Sequence, residues 1–203
     1  MAAQLTLFAG LPDIQVLGLP RGGVPVAYEV ARALSAPLDV YVVRKLGVPG
    51  REEVAMGALA SGGSEFIDAR LVAALGISES EIEQVRRRER LELKRREAVY
   101  RGDSAGLPSV EGRVVMLVDD GIATGATLFA GLLALRELRP AQLVAVAPIG
   151  LPDGCQRVMQ VCDSLVCPWR PAHFGSVGQA YENFDATSDE EVVSLLGRAR
   201  QGD

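Results

Sequence analysis

The residues best placed to do chemistry are two adjacent carboxylates, Asp119 and Asp120, at the end of an apolar run, followed at once by Gly121-Ile122-Ala123-Thr124-Gly125-Ala126-Thr127. The run has the length and valine content of a strand covered on both faces of a parallel sheet, and such sheets bind ligands at the carboxyl ends of their strands. The turn 124–127 carries little side-chain bulk, so successive N–H groups can point inward. The helix expected over 128–138 then offers its positive end to a phosphate. The stretch therefore reads as a site for a phosphorylated sugar. Two acids at a strand end can also simply cap the next helix, but capping needs one acid and no Thr-Gly-Ala-Thr turn. A Walker A loop does not fit, because Gly-Lys-Ser/Thr is missing and the acids precede the turn.

A second strand-turn-helix unit lies near the start. Gln15-Val16-Leu17-Gly18-Leu19 reads as a strand, Pro20-Arg21-Gly22-Gly23 as a turn, and about 24–34 as a helix. Gly22 and Gly23 let the backbone approach an anion closely, and Arg21 can fork onto phosphate oxygens. A third unit, Leu38-Asp39-Val40-Tyr41-Val42-Val43, reads as a strand that delivers Arg44 and Lys45 at its carboxyl end. Two Gly, a Pro and several charges over 46–53 suggest a flexible loop suited to a lid. Taken alone, Arg44 and Lys45 could also be a surface pair, since cationic strand ends are common.

In this order the stretches resemble the type I phosphoribosyltransferases, and most closely their stand-alone bacterial members of unassigned base. The resemblance rests on Leu19-Pro20-Arg21-Gly22-Gly23, Val43-Arg44-Lys45 before Gly47, and Asp119-Asp120-Gly121 before Ala123-Thr124-Gly125. It extends to Phe174-Gly175-Ser176-Val177-Gly178-Gln179-Ala180-Tyr181-Glu182-Asn183-Phe184 and Ser188-Asp189-Glu190-Glu191-Val192. The chain departs at its front, where such relatives carry a longer helical lead-in.

The resemblance implies transfer of the 5-phosphoribosyl group of PRPP to a nitrogenous acceptor with release of pyrophosphate. Asp119 and Asp120 would hold the ribose hydroxyls, and Gly121, Ala123, Thr124, Gly125, Ala126 and Thr127 would wrap the ribose and its 5-phosphate. Arg21, Gly22, Gly23, Arg44 and Lys45 would serve the pyrophosphate, with Arg21, Lys45, Asp119 and Asp120 as the catalytic set. Mg2+ would travel with PRPP, without a permanent metal site. The acceptor pocket is expected between the PRPP loop and 168–181, with Trp169 or Phe174 as the stacking ring, unless these rings are plain core. Transferases that use hypoxanthine or guanine commonly carry an aspartate three positions after the acidic pair, where this chain has Ala123; Glu53 is an alternative base. A PRPP-binding regulator without catalysis and a hydrolase of a phosphorylated sugar stay open as alternatives.

The rest of the chain agrees with one enzyme domain over 1–203. It has 203 residues, is 48% hydrophobic and carries a net charge of −5, enough for an ample core. The first ten residues lack a basic leader, and no segment reaches the eighteen or so apolar residues of a membrane span, so a cytoplasmic protein is expected. Small molecules are the expected partners, without nucleic acid or membrane; a homodimer is allowed.

Strands are expected near 14–19, 38–43, 113–119, 142–148 and 163–167, with helices near 24–34, 126–138 and 152–161. This α/β alternation predicts a doubly wound parallel sheet, which the resemblance completes with a small hood and a flexible loop. A hairpin over 54–67 turns at Ser61-Gly62-Gly63, and a charged helix runs over 78–101. That helix reads as solvated and self-paired, for example Glu83 with Arg87 and Glu92 with Arg96, rather than as a nucleic-acid surface. The stretch 102–112 reads as a loop. Cys155, Cys162, Cys167 and His173 lie within nineteen residues, but their spacing is not that of a zinc site, and buried thiols are the expected reading. A lone histidine without Gly-x-Ser-x-Gly gives a serine-hydrolase triad little support.

Overall fold

The computed structural model describes residues 5–102 and 106–201. Its centre is a five-stranded sheet of β1 (Ile14–Gly18), β2 (Leu38–Val40), β6 (Val114–Val118), β7 (Gln142–Val146) and β8 (Ser164–Val166), in the order β2-β1-β6-β7-β8 with every pair parallel. Side chains alternate between its faces as strand geometry requires. Val16, Met116, Val118, Val144 and Val146 join one core with helices α1 (Gly23–Leu34), α3 (Glu79–Arg101) and α6 (Asp189–Gln201). Leu17, Val115, Leu117, Leu143 and Ala145 join a second core with α4 (Ala126–Arg136) and α5 (Pro152–Met159). Two buried faces explain why these strands read as unbroken apolar runs. The sheet is therefore doubly wound, and its order reverses between β1 and β6, where open α/β sheets open a crevice.

The strand expected over 38–43 is divided. The main-chain N–H of Tyr41 still donates to Gly18 at 2.9 Å, but its buried ring swings to a 2.7 Å hydroxyl contact with Ser64. Val42 then exchanges hydrogen bonds with Ser61, donating to its Oγ and accepting from its N–H, each at 3.0 Å. These bonds carry the chain out of the parallel sheet into an antiparallel one, ordered β3 (Val43–Val48), β4 (Arg51–Ala60) and β5 (Glu65–Ile67). Both halves are buried, so hydrophobicity could not reveal the break.

The 46–53 segment is accordingly a paired hairpin rather than a loose loop. Gly50 turns it at a φ of +73°, and Leu46 and Val48 are buried in the same core as Val16. The hairpin turn expected at 61–63 is present between β4 and β5.

Helix α2 (Ala69–Leu75) was not anticipated, although its signals are in the sequence: Asp68 accepts from the N–H groups of Arg70 and Leu71 at 3.0 Å, and Gly76 ends it in the left-handed region. Helix α3 begins at the expected Ser78, with a reciprocal capping box to Glu81. Glu92 pairs with Arg96 as expected, but Glu83 pairs with Arg86 instead of Arg87. The helix is also less solvated than expected. Ile82, Val85, Leu93 and Tyr100 are buried, and ion pairs Arg44–Glu89, Arg86–Glu65 and Arg101–Asp39 tie it to β3, β5 and β2. Beyond it, 106–112 is neither helix nor strand, and 103–105 lies outside the described residues. Among the described residues no helix is long and apolar enough to cross a membrane.

Candidate active site

The two glycine-bearing loops leave adjacent strands at the β1/β6 reversal and meet there. After β1, Leu19 donates its N–H to Val118 at 2.9 Å, and the Pro20–Arg21 peptide that follows is cis. Gly22 and Gly23 then lie directly against the acidic pair. A Cβ on Gly22 would come within 2.2 Å of Asp120 Oδ2, and one on Gly23 within 2.6 Å of the Val118 carbonyl oxygen and 2.9 Å of Asp119 Cα. At both positions it is proximity, and not dihedral preference, that opposes a side chain.

Asp119 and Asp120 are half-buried, and the N–H of Asp120 donates to Asp119 Oδ1 at 3.0 Å. Loss of hydration pushes the Asp119 carboxyl well above the usual range, and the neighbouring Asp120 charge adds to the rise. Asp120 moves the same way, again chiefly through burial. Neither carboxylate has a cationic side chain within ion-pair distance among the described residues. The pair is thus primed for groups that satisfy negative charge, such as sugar hydroxyls or a cation.

Beyond the acids, Ile122 bonds into the strand-end loops through its N–H to Ile149 and its carbonyl from Leu151, at 2.9 and 2.8 Å. The turn 123–127 then leads into α4. Gly125, at a φ of +69°, precedes the first helical residue, and a Cβ there would press the Gly154 carbonyl at 2.7 Å. Ala126 donates to Thr124 Oγ1 at 3.4 Å. Ala123, Thr124 and Thr127 are exposed, and the first two border an open cavity of about 710 Å³. Phe174, His173 and Arg157 line that cavity with Ala123 and Thr124, and Arg157 also lies over the Phe129 ring at 5.1 Å.

A second cleft, of about 600 Å³, is lined by Arg21, Gly22, Asp120 and Tyr181. The sequence reading gave Tyr181 no role. Its hydroxyl donates to the Asp120 main-chain carbonyl at 2.5 Å, and its ring packs on Phe184 with centroids 5.1 Å apart. Burial, with Asp120 and Asp119 nearby, raises its pKa and keeps it a donor. Val177, four residues earlier, covers Gly121 so closely that a Cβ there would meet it at 2.5 Å. The signal in the sequence is the 174–184 stretch itself, whose glycines and aromatics show no contact partner until the chain is folded.

Other expected site residues stand elsewhere. Arg44 and Lys45 lie within β3, paired in register with Leu59 and Ala58. Arg44 is held by Glu89 through Nε and Nη2, at 2.9 and 2.7 Å, whereas Lys45 is exposed. Trp169 is 53% exposed three residues beyond β8 and is not on the wall of the Phe174 cavity. Cys155 and Cys167 are buried with Sγ atoms 3.9 Å apart, in keeping with hydrophobic thiols. Glu53 is exposed on β4.

Residues 2–175 match the phosphoribosyl transferase domain. The chain belongs to that family. Within it, the chain is 45% identical over 201 residues to the putative phosphoribosyl transferase of Mycobacterium tuberculosis strains CDC 1551 and H37Rv, an alignment that covers 99% of this chain and 45% of each relative. It thus spans about half the length of those curated relatives. Among solved structures, the phosphoribosyl transferase chain is similar to TT1426 from Thermus thermophilus, at 37% identity and a TM-score of 0.86, covering 96% of this chain and 92% of that one. The adenine phosphoribosyltransferase of Giardia lamblia, solved with 9-deazaadenine, shares the fold at 14% identity and a TM-score of 0.50, with 85% and 78% covered.

Proposed function

We propose that this chain transfers the 5-phosphoribosyl group of PRPP to a nitrogenous acceptor and releases pyrophosphate. The contact between the Arg21–Gly23 loop and the Asp119–Asp120 pair carries the reading, because Arg21, Gly22 and Asp120 then line one cleft of about 600 Å³, where an anion loop and an acid pair would meet the same phosphorylated sugar. The 5-phosphate would take the N–H groups of the turn 124–127 and the helix end behind it. Asp119 and Asp120 would grip the ribose hydroxyls, with Tyr181 fixing the Asp120 main chain. Arg21 and Gly22 would meet the diphosphate, and exposed Lys45 would approach it from the β3 hairpin. As the C1–diphosphate bond breaks, the carboxylates would orient the electron-poor ribose while cations take up charge on the leaving group, each such preorganised contact contributing ~3–4 kcal/mol. The oxygen donors of Asp119 and Asp120 suit Mg2+, which binds through one or two carboxylates plus substrate phosphates and water and would neutralise diphosphate charge. Phe174 is the ring best situated for a flat acceptor. One domain acting on small molecules in the cytoplasm is the setting this reading implies.

The test is binding followed by turnover. Mg-PRPP at a hundred times its Kd should stabilise the fold by about 2.7 kcal/mol, and the Asp119→Asn/Asp120→Asn variant should lose that shift. Incubation with Mg-PRPP and a panel of purines, pyrimidines and small amines should yield a new ribosyl phosphate by mass spectrometry. No melting shift with wild type, or an equal shift in the variant, rejects the reading. PRPP bound without any product would favour a regulator, and PRPP consumed without acceptor a hydrolase.

A further inference from the structure

Behind the Arg21 loop lies a cavity of about 280 Å³ between α3 and α6, walled by Arg21, Arg95, Arg96, Tyr100 and Asp189. Three guanidinium groups face it against one carboxylate. Arg95 and Arg96 share a single anchor: Glu92 accepts from Arg95 Nε and Nη2 at 2.8 and 2.9 Å and from Arg96 Nε at 3.0 Å. Those bonds hold the Glu92 carboxyl down at about 2, so it remains charged and keeps both arginines in place. They leave Nη1 of Arg95 and both Nη groups of Arg96 without a protein acceptor among the described residues. Arg21 forms no ion pair among the described residues. Asp189, the one acid on the wall, accepts from the Tyr100 hydroxyl at 2.8 Å. Counting Glu92, the wall carries a formal charge of +1; Glu190, beside it on α6, is also under the influence of Arg21, so it is the several unspent planar donors that suit a small oxyanion. The volume lies at the small end of the range for small-molecule pockets, which suits a small anion.

We propose that Arg21, Arg95 and Arg96 form a binding site for a small phosphate-class oxyanion, separate from the turn 124–127. Arg21 also lines the cleft that holds Asp120 and Tyr181. An anion behind the loop therefore competes with a diphosphate in front of it for the same guanidinium, and the two ligands oppose each other. This coupling rests on the proposed PRPP site, but the oxyanion site does not.

Equilibrium dialysis with radiolabelled inorganic phosphate, and separately with pyrophosphate, tests the site on the whole chain. Both arginines are at the surface of α3, and circular dichroism and melting without anion establish that Arg95→Ala/Arg96→Ala is folded; Arg95→Gln/Arg96→Gln, which keeps more of the side-chain stems, is the substitute if it is not. The variant is expected to bind one anion fewer per chain than wild type, and the anion whose count falls identifies the preferred ligand. Equal counts and affinities for both anions, including no binding to either protein, overturn the proposal. In the second arm, millimolar phosphate should weaken Mg-PRPP binding to wild type about fivefold or more beyond its effect on the variant. Simple competition at the turn 124–127 survives in both proteins. An equal effect in the two removes the coupling, whereas failure of Mg-PRPP to bind at all rejects the PRPP reading and leaves the dialysis count to stand by itself.

Discussion

Gly22 and Asp120 come from loops about a hundred residues apart, yet a methyl group on Gly22 would lie 2.2 Å from Asp120 Oδ2. The register explains the meeting: Gly18 pairs with Val118, so each loop starts at the same height on neighbouring parallel strands. Leu19 is then tied back to Val118, and both glycines lie against the acids.

This contact distinguishes two neighbouring glycines. Gly22 faces a carboxylate that can rotate away, whereas Gly23 faces the Val118 carbonyl and the Asp119 Cα, which cannot. Gly23→Ala should therefore destabilise the protein by about 1–3 kcal/mol through overpacking, seen as a lower melting temperature. Gly22→Ala should melt near wild type but displace the Asp120 carboxylate, so its loss should appear in Mg-PRPP affinity. Equal stability losses in the two would contradict this division.

Asp119 gives a pH test. Burial, reinforced by Asp120, raises its folded-state pKa above the ordinary 3.8, so between these values the folded protein holds a proton that the unfolded chain has released. Stability from this group is complete below about 3.8 and falls as pH rises to the raised value, staying low beyond it. Asp119→Asn removes that loss while keeping an oxygen for the Asp120 N–H. Without ligand, the variant should melt higher than wild type at neutral pH, by the order of 1 kcal/mol typical when a functional-site compromise is relieved, and the difference should vanish near pH 4. A wild-type advantage at pH 7 would refute the account.

The scaffold behind the site depends on Arg101 at the end of α3. It donates to Asp39 at 3.1 Å, to the Val40 carbonyl at 2.6 Å and to Glu97 at 2.7 Å, while the Arg101 and Asp39 side chains are only 3% and 9% exposed. Arg101→Ala would strand a buried carboxylate, which costs about 3–5 kcal/mol. At about 2–4 °C per kcal/mol for a chain of this size, the melting temperature should fall by roughly 10 °C. Arg95→Ala, on the exposed face of the same helix, serves as the control and should change it little.

The sequence made the parallel sheet and both glycine loops legible because each is local: an apolar strand, a run of turn residues and a helix follow one another without interruption. Lost from view were features that depend on distant partners. The break at Tyr41 is made by Ser61 and Ser64, some twenty residues later, and Arg44 is spent on Glu89, forty-five residues on. Tyr181 was invisible for the same reason, since its bond to Asp120 spans sixty-one residues and joins a side chain to a main-chain carbonyl. The charged face of α3 read as self-paired because i to i+4 partners can be counted in sequence, whereas Glu65 as a partner of Arg86 cannot.

Ala123 lies on the wall of the cavity that also holds Phe174 and His173, at the position where transferases of hypoxanthine or guanine commonly carry an aspartate. A methyl group can neither accept nor deliver the ring proton of a 6-oxopurine, and the absence of a positioned acid–base group typically lowers rates ~10²–10⁴-fold. Hypoxanthine and guanine should therefore be turned over poorly or not at all, while adenine remains allowed. His173 shares the cavity, and imidazole is the side chain most often used to relay a proton, so it is the competing source of help. Ala123→Asp and His173→Ala separate the two when product formation from Mg-PRPP and each purine is followed by mass spectrometry. Efficient use of hypoxanthine by wild type that disappears in His173→Ala would transfer the role to the histidine; efficient use that survives that change would defeat the Ala123 argument altogether.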